Sequence, residues 1–265
     1  MDFFIWEDDE TYHSQSKCGK VLSSHMLMDF INSPKLYQKK ITGAIDEKPR
    51  SAFTFGSACH KLILEGKESF DKEYLVSDGP LNEKTGQPYG STTKAYLEWK
   101  YAQDKTIISV DEFAEICKLN YSVQQNKIAT KLLQSGVAEA VVRTFYSGIE
   151  CQIKIDWFNP DMGIVDLKTC AEIKWFEHDA KKFNYIRLMA FYQAVLEQLT
   201  GIKYPVYLIA VEKQEPYNSG VWQILQNDLD KYRENNEYHI ERLVKCRKTM
   251  HFPTGYEDLR YLGEL

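Results

Sequence analysis

The chain has 265 residues, 43% of them hydrophobic and 27% charged, which is an ordinary composition for a folded globular protein. A formal net charge of −5 excludes a chain that binds nucleic acid through overall positive charge, so any such contact must be local. No apolar run reaches membrane-spanning length, the first residues lack the basic stretch of a secretion signal, and the six cysteines are scattered. We therefore expect a cytoplasmic protein with reduced thiols and no membrane association.

The first half of the chain is predicted to be mostly helical. Ser23 and Ser24 stand where a helix cap is favoured, and Pro34 can open a second helix. His60 lies on a short helix, and Ser109 begins a capping-box sequence ahead of a long amphipathic helix. The predicted elements are helices from residue 24 and from residue 34, a helix over 56–66, a polar loop over 77–93 and a helix over 109–136.

The second half alternates strands and helices. Apolar residues recur at helical spacing from Tyr185 through Tyr192, and Gly201 ends that helix. Asp228 is placed to cap a helix that reaches about Lys248. The predicted elements are strands over 137–146, 149–158 and 164–169, a helix over 185–200, strands over 204–211 and 222–225, and a helix over 228–248. The central order is therefore helix, three strands, helix, strand.

Two carboxylates stand at facing ends of the second and third strands. Apolar and polar residues alternate through the second strand, which places Trp157 with the apolar residues and Asp156 on the polar, exposed face. If the hairpin pairs in register, Asp156 faces Asp166, and both can bind one hard cation. Lys168 shares the face of Asp166, where an ammonium can stabilise charge on a phosphate or orient and deprotonate water. The alternative is a solvated strand face, because an Asp-X-Lys triplet is common by chance.

This element order, with Asp156, Asp166 and Lys168, resembles the common core of the PD-(D/E)XK nuclease superfamily. Residues 56–65 are similar to the Gly-X-X-X-His-X-X-Leu-Leu-Glu segment of RecE- and RecB-type exonucleases, with Ile63 in place of the first Leu. The N-terminal Leu-Ser-Ser and Ser-Pro sequences resemble those of RecE-like phage recombination nucleases, a group similar to lambda exonuclease. The resemblance extends from residue 22 to about residue 210.

The resemblance implies an α/β restriction-endonuclease-like core with additional N- and C-terminal helices. We expect one exonuclease domain over residues 1–265, with a helical part at about 20–110 and the nuclease core at about 111–212. One departure from the related nucleases is Leu188, which stands where they often carry a Gln four residues before Tyr192.

The resemblance also implies a metal centre and a catalytic residue. His60, Asp156, Asp166 and the carbonyl of Leu167 are the expected ligands of Mg²⁺, with Mn²⁺ able to substitute, and Lys168 is catalytic. Glu139 and Glu150 are possible extra carboxylates, although a solvated strand position explains each equally well. For His60 the alternative is a packed residue beside the apolar face of its helix. The ligand, catalytic and extra positions are His60, Asp156, Asp166, Leu167, Lys168, Glu139 and Glu150.

The function implied is a metal-dependent double-stranded DNA exonuclease of phage-type recombination, with 5′ to 3′ polarity. The implied partners are double-stranded DNA ends, a single-strand annealing protein and further copies of the chain in a ring-shaped homo-oligomer. Ser23, Ser24 and Arg50 are predicted to hold the 5′-phosphate, with plain helix capping as the alternative for the serines. Two other functions remain open: a structure-specific or restriction-type endonuclease, and a catalytically silent DNA-binding subunit.

Overall fold

The centre of the molecule is a five-stranded mixed sheet with the strand order β3-β4-β5-β6-β7. The computed structural model describes residues 3–45 and 51–261, without the side chains of residues 51–53. Strands β3, β4 and β5 are antiparallel neighbours, β6 runs parallel to β5, and β7 is antiparallel to β6. A separate parallel pair is formed by β1 and β2. The strands are β1 (Tyr74–Val76), β2 (Thr106–Ile108), β3 (Val137–Tyr146), β4 (Ile149–Asn159), β5 (Gly163–Cys170), β6 (Val206–Glu212) and β7 (Ser219–Gln223).

Helices cover both faces of this sheet, so the described part of the chain has two apolar clusters. One cluster packs α2, α3, α10 and α11 on one face, and the other packs α4, α7 and α8 on the opposite face. The α-helices are α1 (Asp9–Lys17), α2 (Ser24–Asn32), α3 (Pro34–Ile41), α4 (Ser51–His60), α5 (Gly66–Glu73), α6 (Lys94–Tyr101), α7 (Val110–Gln125), α8 (Lys127–Leu133), α9 (Phe176–Lys182), α10 (Tyr185–Thr200) and α11 (Gln226–Thr249). A π-helical turn (Lys61–Glu65) joins α4 to α5, and a 3₁₀ turn (Ile173–Trp175) precedes α9.

The order α7, three antiparallel strands, α10 and β6 confirms the predicted α/β restriction-endonuclease-like core. Local signals account for most of its boundaries. Ser109 and Glu112 form the predicted capping box at α7, and Gly201 ends α10 with a left-handed backbone. Several boundaries differ from the prediction: the helix predicted over 56–66 is α4 followed by the π-helical turn, and the strand predicted over 222–225 is β7. Asn126 interrupts the long helix and caps α8, and α11 begins at Gln226, which leaves Asp228 in its first turn rather than at its cap.

The expected alternation of side chains along β4 is wrong at one place. Ile155 packs in the cluster with α10, whereas Trp157 packs in the cluster with α7 and α8. On β3 the neighbours Ala138 and Ala140 divide between the two clusters in the same way. In a regular strand, residues two apart lie on one face, so both strands are kinked where the candidate carboxylates lie.

Within the described ranges, no helix combines the length and the apolar character that crossing a bilayer requires.

Candidate active site

Three carboxylates lie in one row across β3, β4 and β5. The register that pairs Ala138 with Trp157 sets Glu139 opposite Asp156 when it is continued by one position. The pairing of β4 with β5 ends at Trp157 and Val165, and Asp156 and Asp166 are the next residues of the two strands. Besides burial, the charge of Asp156 raises the pKa of both Glu139 and Asp166, so the central carboxylate lies near both others. The predicted hairpin therefore forms, and Asp156 and Asp166 lie just beyond its last pair.

Asp156 is the central residue of this row. Its Oδ2 lies 3.4 Å from Nδ1 of His60 and accepts a 2.9 Å hydrogen bond from the backbone N–H of Leu167. His60 is the last residue of α4, and the π-helical turn follows it directly. Such wide helical turns occur frequently at functional sites. The imidazole is half-buried and faces a carboxylate, which is unlike the packed core position that was the alternative for this residue.

Asp166 is buried, contrary to the exposed strand position that the sequence predicted. Its side chain is only 6% exposed, and its Oδ2 lies 2.6 Å from Nζ of Lys168. This contact has the length of an ion pair, yet Oδ2 accepts no hydrogen bond of good geometry from the described residues. Burial raises the pKa of Asp166 to about 6, because the charge of Lys168 offsets desolvation only in part. A buried carboxylate oxygen with a free lone pair is suited to a cation.

Lys168 is held as an ammonium. Burial by itself disfavours its charge, but the carboxylates of Asp166 and Asp156 outweigh that effect and raise the pKa of Lys168 above its ordinary value. The ring of Tyr185, at the start of α10, lies 5.3 Å from the ammonium and faces it.

Glu139 forms the other end of the row and has unusual backbone geometry. Its φ is +54°, a left-handed conformation that residues other than Gly rarely adopt. Its carboxylate contacts Lys154 Nζ, which also contacts the carboxylate of Asp9 at the start of α1. Burial, with Asp156 acting in the same direction, raises the pKa of Glu139 to about 7. Strained residues of this kind persist where the surrounding structure fixes them, and they cluster at functional sites.

The residues present fit a hard divalent cation. One ligand atom from each of His60, Glu139 and Asp156 lies within 4.8 Å of the others. Asp166 adds a buried oxygen without a hydrogen-bond donor. Oxygen ligands with one imidazole suit Mg²⁺ or Mn²⁺. The described residues therefore include a possible divalent-metal site, and the carbonyl of Leu167 lies between Asp166 and Lys168 in the chain.

Several predicted residues lie elsewhere or have another role. Glu150 is exposed and pairs with Phe145, six residues along β4 from Asp156, so the structure does not bring it to the row. Leu188 is partly buried against the α10 side of the core. Arg50 lies outside the described residues.

The two serines occupy the start of α2. Ser23 caps the helix, because its Oγ accepts a 3.4 Å hydrogen bond from the N–H of Met26. Ser24 is buried and hydrogen-bonds the hydroxyl of Tyr192. Burial raises the pKa of Tyr192, and the charges of Asp156 and Asp166 act in the same direction. Tyr192 therefore links the start of α2 to the carboxylate row.

Sequence reasoning missed three neighbours of the site: Asp9, Lys154 and Tyr185. Lys154 could have been found, because it lies two residues before Asp156 on a predicted strand. Asp9 had no signal, since 145 positions separate it from Lys154 in the chain. Tyr185 was recognised as part of a helix but not as the ring beside Lys168.

Comparison with known proteins agrees with this geometry. A family model described as a PDDEXK-like domain of unknown function (DUF3799) matches residues 23–264. The crystal structure of a protein from Eubacterium rectale, named "Putative exonuclease", is similar with a TM-score of 0.68. That similarity covers 98% of this chain and 97% of the other at 18% sequence identity, which shows a shared fold. Comparison with the curated proteins finds no match. Since the family model spans nearly the whole chain, the protein belongs to the DUF3799 family of PDDEXK-like domains.

Proposed function

We propose that the protein is a metal-dependent exonuclease that degrades double-stranded DNA from its ends in the 5′ to 3′ direction. The observation that carries this proposal is the buried carboxylate of Asp166 near Asp156, whose Oδ2 is paired with the ammonium of Lys168 but accepts no hydrogen bond of good geometry from the described residues. Two adjacent carboxylates repel each other and cost stability unless a cation neutralises them. This cost argues against a silent DNA-binding subunit, which needs no such arrangement.

The proposed ligands are His60, Asp156, Asp166 and the carbonyl of Leu167, and the proposed ion is Mg²⁺, with Mn²⁺ as a substitute. Glu139 is a possible additional ligand, since its carboxylate lies in the same cluster. A bound divalent ion supplies Lewis-acid polarisation of a phosphate and lowers the pKa of a bound water. Glu150 has no part in this proposal, because it lies at the other end of β4.

Lys168 is the proposed catalytic residue that is not a ligand. The raised pKa of Lys168 keeps its side chain charged at neutral pH, which suits the stabilisation of negative charge on a phosphate better than removal of a proton from water. Asp166 and the ring of Tyr185 fix the position of the ammonium. The backbone N–H of Leu167 orients Asp156, so these neighbouring residues of β5 hold the charged groups in place.

The start of α2 is the proposed site for the 5′-phosphate of a DNA end. Unpaired backbone N–H groups and the helix dipole favour an anion at this point. The nearness of Ser24 to the carboxylate row supports the proposal: Ser24 contacts Tyr192, whose pKa is raised by burial and also by the charges of Asp156 and Asp166. Ser23, Ser24 and Arg50 are the residues proposed to contact the phosphate.

The proposed setting is phage-type recombination in the cytoplasm, with a single-strand annealing protein as partner and a ring of identical subunits. The support for a ring is the net charge of −5, since a ring lined locally with basic residues can hold DNA despite an acidic surface elsewhere. The name of the similar structure from Eubacterium rectale agrees with exonuclease activity.

The test is a degradation assay with Mg²⁺ on linear duplex DNA labelled at either end, beside a covalently closed circle. We expect loss of the 5′ label from linear DNA, faster with a 5′-phosphate than with a 5′-hydroxyl, and an intact circle. The Asp166→Asn variant, which keeps the shape of the side chain, is the inactive control. Cutting of the circle identifies an endonuclease instead, and equal activity of the control variant overturns the site assignment.

A further inference from the structure

We propose that Lys154 is a resident counter-cation of the metal site. It pairs with Glu139 in the metal-free protein and shifts towards Asp9 when a divalent ion binds. Lys154 and Asp9 are thus positioning residues that decide whether the carboxylate of Glu139 is available to the ion. This inference rests on the metal site proposed above.

The Lys154 ammonium forms ion pairs with two carboxylates at once. Its side chain is 19% exposed, and its ammonium contacts both the Glu139 and the Asp9 carboxylates. The two acceptors differ in environment, since the Glu139 side chain is 26% exposed and that of Asp9 is 71% exposed. The ring of Tyr12 lies 6.0 Å from the ammonium. The Lys154 ammonium can therefore move from the inner carboxylate, Glu139, to the outer one, Asp9, and remain paired with an anion.

The position of Glu139 makes this exchange relevant to the ion. Its carboxylate belongs to the cluster with His60 and Asp156, and the left-handed backbone fixes it at the kink of β3. An ammonium in contact with a carboxylate repels a divalent ion that approaches the same carboxylate, so it weakens that ligand unless it can move away. An ion close to Asp156 therefore favours movement of Lys154 away from Glu139.

A second carboxylate–lysine pair in the row provides the contrast. Lys168 contacts Asp166, which lies near Asp156 in the same row of carboxylates. Within the described part of the chain, Lys168 forms no ion pair with a carboxylate outside this row. Lys154 has such an outer carboxylate in Asp9. The two lysines therefore differ in what they can do: Lys168 stays beside the reacting groups, and Lys154 has a second partner to accept it.

Asp9 is held in place by a well-anchored N-terminal segment. Ile5 forms a β-bridge with Val141 of β3, and Glu7 forms a 2.7 Å ion pair with Arg143. The buried side chain of Gln152 donates a 2.8 Å hydrogen bond to the carbonyl of Tyr12. This segment precedes the region matched by the family model, so Asp9 lies outside that region while it contacts a residue of the site.

The experiment measures metal affinity by calorimetry with Mn²⁺ and thermal unfolding in a chelator, neither of which needs DNA hydrolysis. Lys154→Met should lower the melting temperature of the metal-free protein and tighten Mn²⁺ binding. Asp9→Asn should weaken Mn²⁺ binding, since Lys154 then remains with Glu139. Removal of a unit charge that lies a few ångströms from a divalent ion should change the Mn²⁺ affinity by roughly tenfold, even at the dielectric constant of water. Lys203→Met is the matched control, because it removes a lysine from an exposed ion pair with Asp230.

Two further results decide between this role and simple structural support. If Lys154 only supports the structure of the site, Lys154→Met should bind Mn²⁺ more weakly. This result is the opposite of the expected gain in affinity and would overturn the inference. The gain in affinity should also disappear in the double variant with Glu139→Gln, because the carboxylate that Lys154 blocks is then absent. If the unaltered protein binds no Mn²⁺, the proposed metal site fails; if it binds Mn²⁺ and both single variants leave the affinity unchanged, only the inference fails.

Discussion

Lys168 and Asp166 show how much of a site depends on burial of single side chains. The sequence places both on a polar strand face, whereas the structure buries Asp166 and covers Lys168 with Tyr185. Their charges consequently interact in a medium of lower dielectric constant than water, which makes each of them sensitive to loss of the other.

Lys168→Ala should abolish DNA hydrolysis without weakening metal binding, because an ammonium stabilises charge on the phosphate, is not a ligand and repels a divalent ion. Single-turnover kinetics at pH 8 and calorimetry with Mn²⁺ measure the two effects separately. The alkaline pH matters, since an Asp166 without its ammonium partner should take up a proton more readily. Collapse of metal affinity together with activity would show that Lys168 supports the ligands instead.

Glu139 gives a second prediction, which concerns pH. The pKa of Glu139 is raised to about 7, so the folded protein binds a proton that the unfolded chain releases near pH 4.5. The free energy of unfolding should therefore fall as pH rises from about 4.5 to about 7 in the metal-free protein. Glu139→Gln should flatten this decline, which denaturant unfolding at several pH values in a chelator can measure. An unchanged pH profile would mean that Glu139 is ionised throughout this range.

At the scale of elements, the hairpin between β4 and β5 determines where the site forms. Only Trp157, Phe158 and Asn159 of β4 pair with β5. Within the sheet, the rest of β4 pairs with β3 alone, and β5 continues beside β6. Gly163 makes the turn possible, since its φ is +126° and a Cβ there would lie 2.1 Å from the carbonyl oxygen of Pro205. That oxygen accepts a hydrogen bond from Ile164, the first pairing residue of β5 with β6.

Gly163→Ala should therefore destabilise the protein by more than about 1 kcal/mol, because both the backbone conformation and the space are unsuited to a side chain. Gly148→Ala is the control: its φ is +85°, but nothing lies within 4 Å of an added Cβ. Urea unfolding should show a clearly larger loss for Gly163 than for Gly148. Equal losses would indicate that the contact with Pro205 relaxes without cost.

The same elements show what the sequence could and could not predict. The hairpin of β4 and β5 and the capping box at Ser109 depend on neighbouring residues, and these were predicted. Glu139 joins the candidate site through a left-handed backbone conformation inside a strand. Glutamate has no local preference for that conformation, so the sequence does not indicate it. The contact between Asp9 and Lys154 depends on the tertiary fold, so residue spacing carries no sign of it.

At the scale of the whole molecule, the central question is how an acidic protein holds DNA. The sheet is covered by helices on both faces, and the row of carboxylates lies where β3 and β4 are kinked and the pairing of β4 with β5 ends. A single subunit of 30.9 kDa with a net charge of −5 offers limited attraction to a polyanion.

We expect the protein in solution to be a closed ring of at least three subunits, since a ring surrounds DNA and concentrates local positive charge around it. Sedimentation equilibrium should give a mass that is a multiple of 30.9 kDa, and the mass should not depend on protein concentration in the micromolar range. A monomer under these conditions contradicts the ring and predicts degradation that stops after few nucleotides.

The hydrogen bond from the Leu167 amide to Asp156 makes this amide a spectroscopic reporter of the site. In most of a sheet, a strand amide bonds to a neighbouring carbonyl, and its proton exchanges slowly whatever the state of nearby side chains. The Leu167 proton instead depends on a carboxylate oxygen that lies in the proposed metal site. A change in the charge or the ligands of Asp156 should therefore shift the amide resonance of Leu167 and alter its exchange with deuterium, so nuclear magnetic resonance can follow occupancy of the site from a backbone position.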